Sequence, residues 1–333
     1  MTRYTRIAGL GHYLPERLVT NQELEGLMDT SDAWIQERTG IKERHFTADG
    51  ETCTDMAVQA AKAAIADAGW TTDDVQFVIF ATLAPDLFFP GNGVLLQHAL
   101  GLGEVGAMDV RNQCTGFIYG LSAADGFIRM GTFDRVLLVG SERQSPALRL
   151  TTEGRDTAVL FGDGAGAMCL EVTDGEANGY VMGHRLHSNG KYARELSVQK
   201  PGAANRPWLT KEMIDDGSTN IVMNGREVFR HAITKFPAVI REVLEDHGLE
   251  ADDVDLVIPH QANQRITEAV RQRLRLPEEK VYSNIARHGN TTAASIPIAF
   301  CEAVQEGRVE RGDLVCLASF GSGFTWAASL LRF

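Results

Sequence analysis

Cys114, His260 and Asn290 are the side chains of this sequence best suited to do chemistry together. Cys114 follows the apolar strand predicted at about 106–110 and stands where a helix begins, a place where the helix macrodipole favours the thiolate. Lowering a thiol pKa by ~1.5 units needs ~2 kcal/mol, which a favourably placed helix N-terminus nearly supplies. We therefore predict that Cys114 is a nucleophile of depressed pKa that reacts with iodoacetamide before the other four cysteines, which fit the alternative of small core residues better.

His260 ends the apolar segment DLVIPH, and Asn290 follows RHG at the start of another helix. Open α/β sheets bind ligands at the carboxyl ends of their strands, so we expect His260 to face a site. Because Asn290 is not a carboxylate, the histidine stays neutral, and the two side chains together offer two hydrogen-bond donors. Such a pair suits an oxyanion, for example the enolate left when a malonyl thioester loses carbon dioxide.

An internal repeat predicts how these residues come together. Residues 67–79 (DAGWTTDDVQFVI) and 246–258 (DHGLEADDVDLVI) are identical at seven of thirteen positions at an offset of 179. The same offset pairs FDRVLLVGS with GDLVCLASF, and an offset of 176 pairs Cys114 with Asn290. Duplication therefore places the cysteine, the histidine and the asparagine at one end of a pair of sheets.

Each repeat contains the same order of elements. An alanine-rich helix (57–68 or 232–247) ends at Gly69 or Gly248 and precedes a strand without polar alternation, which is typical of a strand buried on both faces. A second strand passage (GAMDVRNQC or KVYSNIARHGN), a further helix (115–130 in the first repeat) and a third strand (RVLLVGS or LVCLAS) follow. The order indicates an α/β sheet protein with helix layers on both faces of its sheets.

We predict an αβαβα layered sandwich of two pseudo-symmetric halves. The first half, residues 1–173, carries the cysteine, and the second half, residues 174–333, carries the histidine and the asparagine. The stretch 185–220 has little periodicity and is predicted to be a long loop over the site.

Composition and charge exclude several classes of protein. Of the 333 residues, 44% are hydrophobic and 23% charged, as in ordinary globular proteins, and the net charge of −12 argues against nucleic-acid or anionic-membrane binding. No apolar run approaches the ~18 residues that span a bilayer. Five cysteines without CxxC spacing favour a reducing cytoplasm over a disulfide framework.

Two other motifs are weak signals. The segment FGDGAGA at 161–167 looks like a phosphate loop, but it lacks the GK[ST] ending and opens no helix of a βαβ unit. His184 and His187 lack a third ligand, which argues against zinc. We therefore expect neither a nucleotide at the loop nor a metal at the histidines.

At the residues that could do chemistry, the sequence resembles the β-ketoacyl-acyl carrier protein synthase III family, condensing enzymes of thiolase-like fold. The resemblance runs from about residue 3 to the end and rests on a combination of blocks. The blocks are WIQERTGIKERHF (34–46), NQCTGFIYGL (112–121), VLFGDGAGA (159–167), MNGREVFRHA (223–232), PHQANQR (259–265), RHGNTTAASIPIA (287–299) and FGSGFTWAASLLRF (320–333). It implies a decarboxylative Claisen condensation of an acyl-CoA primer with malonyl-acyl carrier protein, which initiates fatty acid biosynthesis without a metal or redox cofactor.

The resemblance also implies roles for individual residues. Cys114 would accept the acyl primer, while His260 and Asn290 would promote malonyl decarboxylation. The backbone N–H groups of Cys114 and Ser322 would form an oxyanion hole, although Ser322 stands where the family usually has the middle glycine of FGGGFTW. Four further side chains match coenzyme A contacts: Trp34, Arg38, Arg155 and Asn263.

Among these, Trp34 and Arg155 match the pair that sandwiches the adenine. Phe89 matches a residue that reaches into the partner's acyl pocket in a homodimer. The segment that matches the carrier-protein contact comprises Gln261, Ala262, Asn263, Gln264 and Arg265. Residues 259–276 hold four arginines and one glutamate, a net +3 in an acidic chain, which could steer an acidic carrier protein or the phosphates of coenzyme A. A solvated helix face is the alternative interpretation of these charges.

The residues leave two alternative functions open. One is a pathway-specific ketosynthase of secondary metabolism that uses a non-acetyl primer. The other is a catalytically silent partner subunit, against which the intact cysteine, histidine and asparagine set argues.

Overall fold

The computed structural model of the chain describes residues 3–175 and 179–333. The strands are β1 (Tyr4–Tyr13), β2 (Arg17–Thr20), β3 (Glu43–Phe46), β4 (Phe77–Ala81), β5 (Gly106–Val110), β6 (Arg135–Glu142), β7 (Gly164–Thr173), β8 (Tyr180–Ser188), β9 (Leu196–Ser197), β10 (Val222–Met223), β11 (Leu256–Pro259), β12 (Leu314–Gly321) and β13 (Thr325–Arg332). The helices are α1 (Asn21–Glu25), α2 (Asp32–Thr39), α3 (Cys53–Asp67), α4 (Asn92–Ala99), α5 (Gly116–Arg129), α6 (Arg155–Ala158), α7 (Lys211–Asp215), α8 (Gly225–Glu245), α9 (Gln264–Leu274), α10 (Ile285–His288) and α11 (Ser295–Gln305).

Two main sheets have corresponding strand orders. The first sheet runs β1-β7-β6-β4-β5, and the second runs β11-β12-β13-β8. In the first, β4 is parallel to β5 and β6, and β7 is antiparallel to β6 and β1. In the second, β11 is parallel to β12, and β13 is antiparallel to β12 and β8. The repeat predicted from the sequence therefore extends to strand direction.

The second sheet lacks the strand predicted at KVYSN, and that prediction was wrong. Only an isolated bridge pairs Val281 with Val257. Beyond it, the side-chain amide of Gln261 donates to the carbonyl of Tyr282 and accepts the N–H of Asn284. A side chain thus satisfies backbone groups that a continued ladder would have paired.

Helices form three layers around the two sheets. The apolar faces of α5 and α11 share one core between the sheets, α3 and α4 pack outside the first sheet, and α8 and α9 pack outside the second. The predicted stripe of α5 is fully buried and comprises Phe117, Leu121, Ala124 and Ile128. These layers confirm the predicted αβαβα sandwich.

Capping moves two helix starts away from the predicted positions. α3 begins at Cys53 rather than 57, because the Thr52 side chain accepts the Asp55 N–H and the Asp55 carboxylate accepts the Thr52 N–H in return. α8 begins at Gly225 rather than 232, with Asn224 as its cap. Hydrophobic periodicity alone does not mark these polar first turns.

Short elements of the first half form a smaller unit around a fourth apolar cluster. It consists of α1, α2, α6 and the antiparallel pair β2–β3, and its apolar side chains share one cluster with Ile285 of α10. The predicted loop 185–220 is largely irregular from residue 189 onward, although β8 extends to Ser188 and the short β9 and α7 interrupt it. Within residues 3–175 and 179–333, no helix has both the length and the apolar character to cross a membrane.

Candidate active site

Cys114 lies on a single 3-10 turn that immediately precedes α5. Two contacts fix this turn to the second sheet: the Ser319 hydroxyl donates to the Cys114 carbonyl at 2.8 Å, and the hydroxyls of Thr115 and Thr325 lie 2.9 Å apart. Gln113, just before the cysteine, has a φ of 45°, which is strained for a residue with a side chain. The turn therefore holds the thiol in a fixed place between the two halves.

The prediction of a depressed pKa for Cys114 is wrong for this structure. Burial raises the pKa of the thiol to about 12, and the nearby Glu142 carboxylate adds to that increase. The backbone N–H of Ser322 and that of Cys114 itself lower the pKa, but by less than burial raises it. Burial also raises the pKa of the other four cysteines, so preferential labelling of Cys114 loses its electrostatic basis.

The backbone N–H of Ser322 lies near enough to the Cys114 thiol to lower its pKa. Its side-chain hydroxyl donates instead to the Leu196 carbonyl at 2.5 Å. The preceding Gly321 lies so close that a Cβ there would stand 2.6 Å from Cys114 Cβ and 2.9 Å from Sγ. The serine at the usual glycine position therefore still places its backbone N–H on the side of the thiol.

His260 follows the carboxyl end of β11 and is 1% exposed. Its backbone N–H donates to Ala318 of β12 at 2.8 Å, and its Nδ1 lies 2.6 Å from the Ser295 hydroxyl oxygen. Nε2 is buried and has no hydrogen-bond partner among the residues described. Burial lowers the pKa of this imidazole to about 3, so His260 is neutral at neutral pH.

Acid should destabilise the protein through His260. Between its unfolded pKa of 6.5 and its folded pKa of about 3, the unfolded chain binds a proton that the folded chain does not. The folded pKa is depressed for a base, so the free energy of unfolding falls as pH falls through this window. From pH 6.5 to 4.5 the wild type should lose roughly 2 kcal/mol more than His260→Gln.

Urea unfolding of both proteins at several pH values measures this difference. The exposed His98 of α4 provides the matched control, His98→Gln. Stability curves of wild type and His260→Gln that run parallel from pH 6.5 to 4.5 would contradict the prediction.

Asn290 is held by its backbone and by one end of its amide. Its N–H donates to the Leu160 carbonyl at 2.8 Å, and its carbonyl accepts the Gly162 N–H at 3.1 Å. Its Oδ1 accepts the Thr292 N–H at 2.9 Å. Because Oδ1 is occupied in this way, the Nδ2 amino group is the end of the side chain that can donate to a substrate.

Ala293 connects the segment that begins at Asn290 (290–294, the asparagine segment) to the 3-10 turn that carries Cys114 (Gln113–Thr115, the nucleophile turn). A Cβ on Gly116 would lie 3.8 Å from Ala293 Cβ, and one on Gly140 would lie 2.7 Å from the Ala293 carbonyl oxygen. His260 approaches from β11, whose neighbour β12 ends beside Cys114. The structure thus brings the two halves together at the carboxyl ends of their central strands.

Sequence reasoning missed two buried polar residues at this site, Ser295 and Glu142. Burial raises the pKa of the Glu142 carboxyl to about 7. Its oxygens accept the Thr82 hydroxyl and the N–H groups of Leu83 and Ala293, which joins the loop after β4 to the asparagine segment. An acid at the end of the buried strand RVLLVGSE was the signal available in the sequence.

Trp34 lies within cation–π distance of two arginines. The guanidinium carbons of Arg38 and Arg155 lie 4.4 and 5.1 Å from the Trp34 ring centroid. Arg155 also donates to the carbonyl of Asp29 at 2.6 Å, and Asn263 Nδ2 donates to the Arg38 carbonyl at 2.9 Å. The four residues that match coenzyme A contacts are therefore neighbours.

The prediction that Gln261 contacts a carrier protein is corrected by its burial. The side chain is 1% exposed and is fully used inside the fold, where it donates to Pro259 and Tyr282 carbonyls. Ala262, Asn263 and Gln264 are half-buried, and Arg265 is exposed.

Three exposed arginines remain as unpaired cations on α9 and its end. Arg271 is paired with Glu268 at 2.6 Å. Arg265, Arg273 and Arg275 have no carboxylate within ion-pairing distance in the described part of the chain. The positively charged surface therefore consists of these three arginines and is smaller than the net charge of +3 over residues 259–276 suggests.

Phe89 is 80% exposed in the single chain. It adjoins Phe88, which is 65% exposed and packs edge-on against Trp208 at 5.3 Å. These side chains form an apolar surface on the loop between β4 and α4.

The two weak motifs form ordinary structure. Most of FGDGAGA belongs to β7, a buried strand, and so cannot wrap around a phosphate. His184 Nδ1 lies 2.7 Å from the Ser329 hydroxyl, and His187 Nε2 lies 2.6 Å from Glu242. Neither histidine belongs to a group of three potential metal ligands in the ranges 3–175 and 179–333.

Comparisons with known proteins point to one family, and the similarity to a relative extends over nearly the whole chain. The family models "3-Oxoacyl-[acyl-carrier-protein (ACP)] synthase III" and "3-Oxoacyl-[acyl-carrier-protein (ACP)] synthase III C terminal" match residues 108–190 and 244–333. The chain is 46% identical to the beta-ketoacyl-[acyl-carrier-protein] synthase III of Acidiphilium cryptum over 329 residues, which is 99% of each chain.

Solved structures agree as well. The 3-oxoacyl-[acyl-carrier-protein] synthase III of Aquifex aeolicus is 43% identical and has a TM-score of 0.90, with 99% of this chain and 100% of that chain covered. The Pseudomonas aeruginosa synthase III is 38% identical, with a TM-score of 0.91 and coverage of 99% and 98%. The resemblance seen in the sequence is confirmed, and the chain belongs to the β-ketoacyl-[acyl-carrier-protein] synthase III family.

Proposed function

We propose that this chain is the condensing acyltransferase that joins an acyl-CoA primer to malonyl-acyl carrier protein and so initiates fatty acid biosynthesis. One observation carries the assignment of roles. A neutral histidine with an unpartnered, buried Nε2 lies in the same site as an asparagine amino group and a cysteine that lies near an N–H donor. That arrangement serves two oxyanions, one at the acyl group and one at the malonyl group.

The first step transfers the primer to Cys114. The sulfur attacks the thioester carbonyl carbon of the acyl-CoA, and the N–H groups of Cys114 and Ser322 stabilise the oxyanion that forms. The intermediate collapses by breaking the bond to the coenzyme A sulfur, which leaves with the proton that the cysteine thiol gave up. Since the resting thiol is protonated, the loss of its proton must accompany the attack.

The second step uses His260 and Asn290. The malonyl carboxylate leaves as carbon dioxide, and its bonding electrons pass into an enolate whose oxygen receives hydrogen bonds from Nε2 and Nδ2. The enolate carbon then attacks the acyl thioester on Cys114, and collapse of that intermediate expels the cysteine sulfur, which takes up a proton from solvent to restore the thiol. The products are the β-ketoacyl-carrier protein and carbon dioxide, and no oxidant or reductant is needed.

The two halves are proposed as the domains of this machinery. Residues 1–173 provide the first sheet and Cys114, and residues 174–333 provide the second sheet with the histidine and the asparagine. Coenzyme A is proposed to enter between them, along the surface formed by Trp34, Arg38, Arg155 and Asn263.

The exposed arginines of α9 are proposed to receive the acidic carrier protein. Arg265→Glu and Arg273→Glu should each raise the KM for malonyl-carrier protein severalfold, because both side chains are unpaired cations on one surface. The rate with malonyl-CoA as a surrogate should change less, and added salt should reduce the effect. Steady-state kinetics with both substrates at two salt concentrations measure it.

Lys62→Glu is the matched control, since it makes the same charge change on the exposed side of α3, outside the first sheet. Equal losses with both substrates would assign the arginines to coenzyme A binding or to stability instead of docking.

Phe89 is proposed to complete the acyl pocket of a second copy in a homodimer. Its exposure in the single chain supports this role, because Phe89, Phe88 and Trp208 form one exposed apolar patch, and such patches mark protein–protein contacts. Phe89→Ala should therefore extend the accepted primers toward longer acyl chains. Intact-protein mass after incubation with C2 to C12 acyl-CoAs measures the range, and sedimentation measures the oligomeric state.

Met130→Ala is the control, because Met130 is an equally exposed apolar side chain (81%) at the end of α5, and its loss should leave primer choice unchanged. A monomeric wild type, or an identical primer range for wild type and Phe89→Ala, would refute this role.

The primer scan also tests the function itself. Acylation of Cys114 by acyl-CoA, followed by carbon dioxide release from malonyl-carrier protein, is the expected result. A protein that neither self-acylates nor releases carbon dioxide would instead be a silent partner subunit. Exclusive acylation by unusual acyl chains would indicate a pathway-specific ketosynthase.

A further inference from the structure

His260 is held through one ring nitrogen only. Nδ1 lies 2.6 Å from the hydroxyl oxygen of Ser295, the first residue of α11. Nε2 is buried and has no partner within the described ranges. Both residues are 1% exposed, so water does not compete for the contact at Nδ1. The direction of this one hydrogen bond therefore decides which ring nitrogen carries the proton.

The other hydrogen-bond partners of Ser295 decide which of the two groups, its hydroxyl or His260 Nδ1, donates in this bond. The Ser295 oxygen also accepts the backbone N–H of Gln261 at 3.3 Å. In the part of the chain that the structure describes, His260 Nδ1 is the one acceptor within hydrogen-bonding distance of the Ser295 hydroxyl. If Ser295 donates to Nδ1, then the hydroxyl, Nδ1 and the Gln261 N–H all have partners, and only Nε2, which then carries the ring proton, is left for a substrate. If Nδ1 carried the proton, the hydroxyl proton would be buried without an acceptor, which is unfavourable.

We propose that Ser295 is a positioning residue that holds His260 in the tautomer with its proton on Nε2, so that the imidazole donates to the malonyl thioester oxygen. A carboxylate at this place would accept a hydrogen bond from Nδ1–H, leave Nε2 as a base, and stabilise an imidazolium, as in hydrolytic triads. A hydroxyl does neither, and the ring stays a neutral donor. The inference rests on the proposed function for its effect on catalysis, but the tautomer itself is independent of it.

Nitrogen NMR of the wild type reads the tautomer directly. The protein is labelled with 15N-histidine, and the signals of His260 among the nine histidines are identified by their loss in His260→Gln. We expect Nε2 in the range of a protonated ring nitrogen and Nδ1 in that of an unprotonated one. The opposite pattern would overturn the proposal, and this test needs no substitution at Ser295.

Two variants connect the tautomer to the reaction. Ser295→Ala removes one net hydrogen bond to the ring and should lower carbon dioxide release from malonyl-carrier protein about tenfold. Ser295→Asp should move the proton to Nδ1 and lower release by roughly 10²-fold, because the donor at Nε2 is lost. Acylation of Cys114 by acyl-CoA should stay within about twofold in Ser295→Ala, since the contact serves the second step.

Ser329→Ala is the matched control. Its hydroxyl is also fully buried and also contacts a histidine Nδ1, that of His184, but outside the site. It should leave both half-reactions unchanged.

Two outcomes would refute the positioning role. One is an equal loss of acylation and carbon dioxide release in Ser295→Ala, accompanied by lower stability in urea. The other is a Ser295→Asp protein that keeps its proton on Nε2 and its rate of release. A wild type that releases no carbon dioxide while the spectra show the Nε2 proton would overturn the proposed function, and with it the donor role, but not the tautomer.

Discussion

Asn290→Ala and His260→Ala should still acquire the acyl group from acyl-CoA but release carbon dioxide 10²–10³-fold more slowly, the usual cost of removing one oxyanion donor. Cys114→Ala should show the reverse, with no acyl-enzyme but continued carbon dioxide release. The separation follows from the structure. The cysteine and the nearby N–H of Ser322 lie on the nucleophile turn and the end of β12, whereas the two donors come from β11 and the segment before α11.

A paired assay on each variant measures the separation: intact-protein mass after acyl-CoA, and labelled carbon dioxide from malonyl-carrier protein. His184→Ala is the control for His260→Ala, because its imidazole is also bonded to a serine hydroxyl but lies away from the site. If the Asn290→Ala variant cannot be acylated but releases carbon dioxide at the wild-type rate, the assignment of roles is reversed.

The internal repeat is the reason that the sequence predicts the main sheets and helices. β4 and β11 begin at Phe77 and Leu256, and α5 and α11 begin at Gly116 and Ser295, both pairs 179 positions apart. Local patterns of apolar residues and glycine stops are enough to find such units, because each half uses the same physics of layer packing. The convergence of the reactive side chains then follows from the duplication.

Contacts between residues distant in sequence account for what the patterns missed. The thiol of Cys114 is buried by Gly321 and faces the field of Glu142, and neither effect is visible in the helix start that predicted a low pKa. Gln261 resembles a surface contact by its neighbours in sequence, yet its amide replaces the missing ladder beside Tyr282. Ser295 occupies the position of Gly116 in the other half, so the repeat marks its place but not its bond to the histidine.

Gly321→Ala should disable the nucleophile although it changes no functional group. The added Cβ would lie 2.6 Å from Cys114 Cβ and 2.9 Å from Sγ, distances that real carbon contacts do not reach. The cysteine cannot simply yield, because the Ser319 hydroxyl holds its carbonyl at 2.8 Å. Relief therefore displaces the thiol from the N–H of Ser322 or shifts the end of β12.

A displacement of about 1 Å at a reacting atom costs roughly 10²-fold in rate, so we expect at least that loss in acylation by acyl-CoA. Overpacking should also lower the free energy of unfolding by about 1–3 kcal/mol. Gly126→Ala is the matched control: Gly126 lies within α5, a Cβ there meets nothing within 4 Å, and the change should raise stability by about 0.5–1 kcal/mol with full activity. Stopped-flow acylation and urea unfolding measure both effects. A Gly321→Ala protein that acylates at the wild-type rate would show that the nucleophile is not held by the close approach of β12.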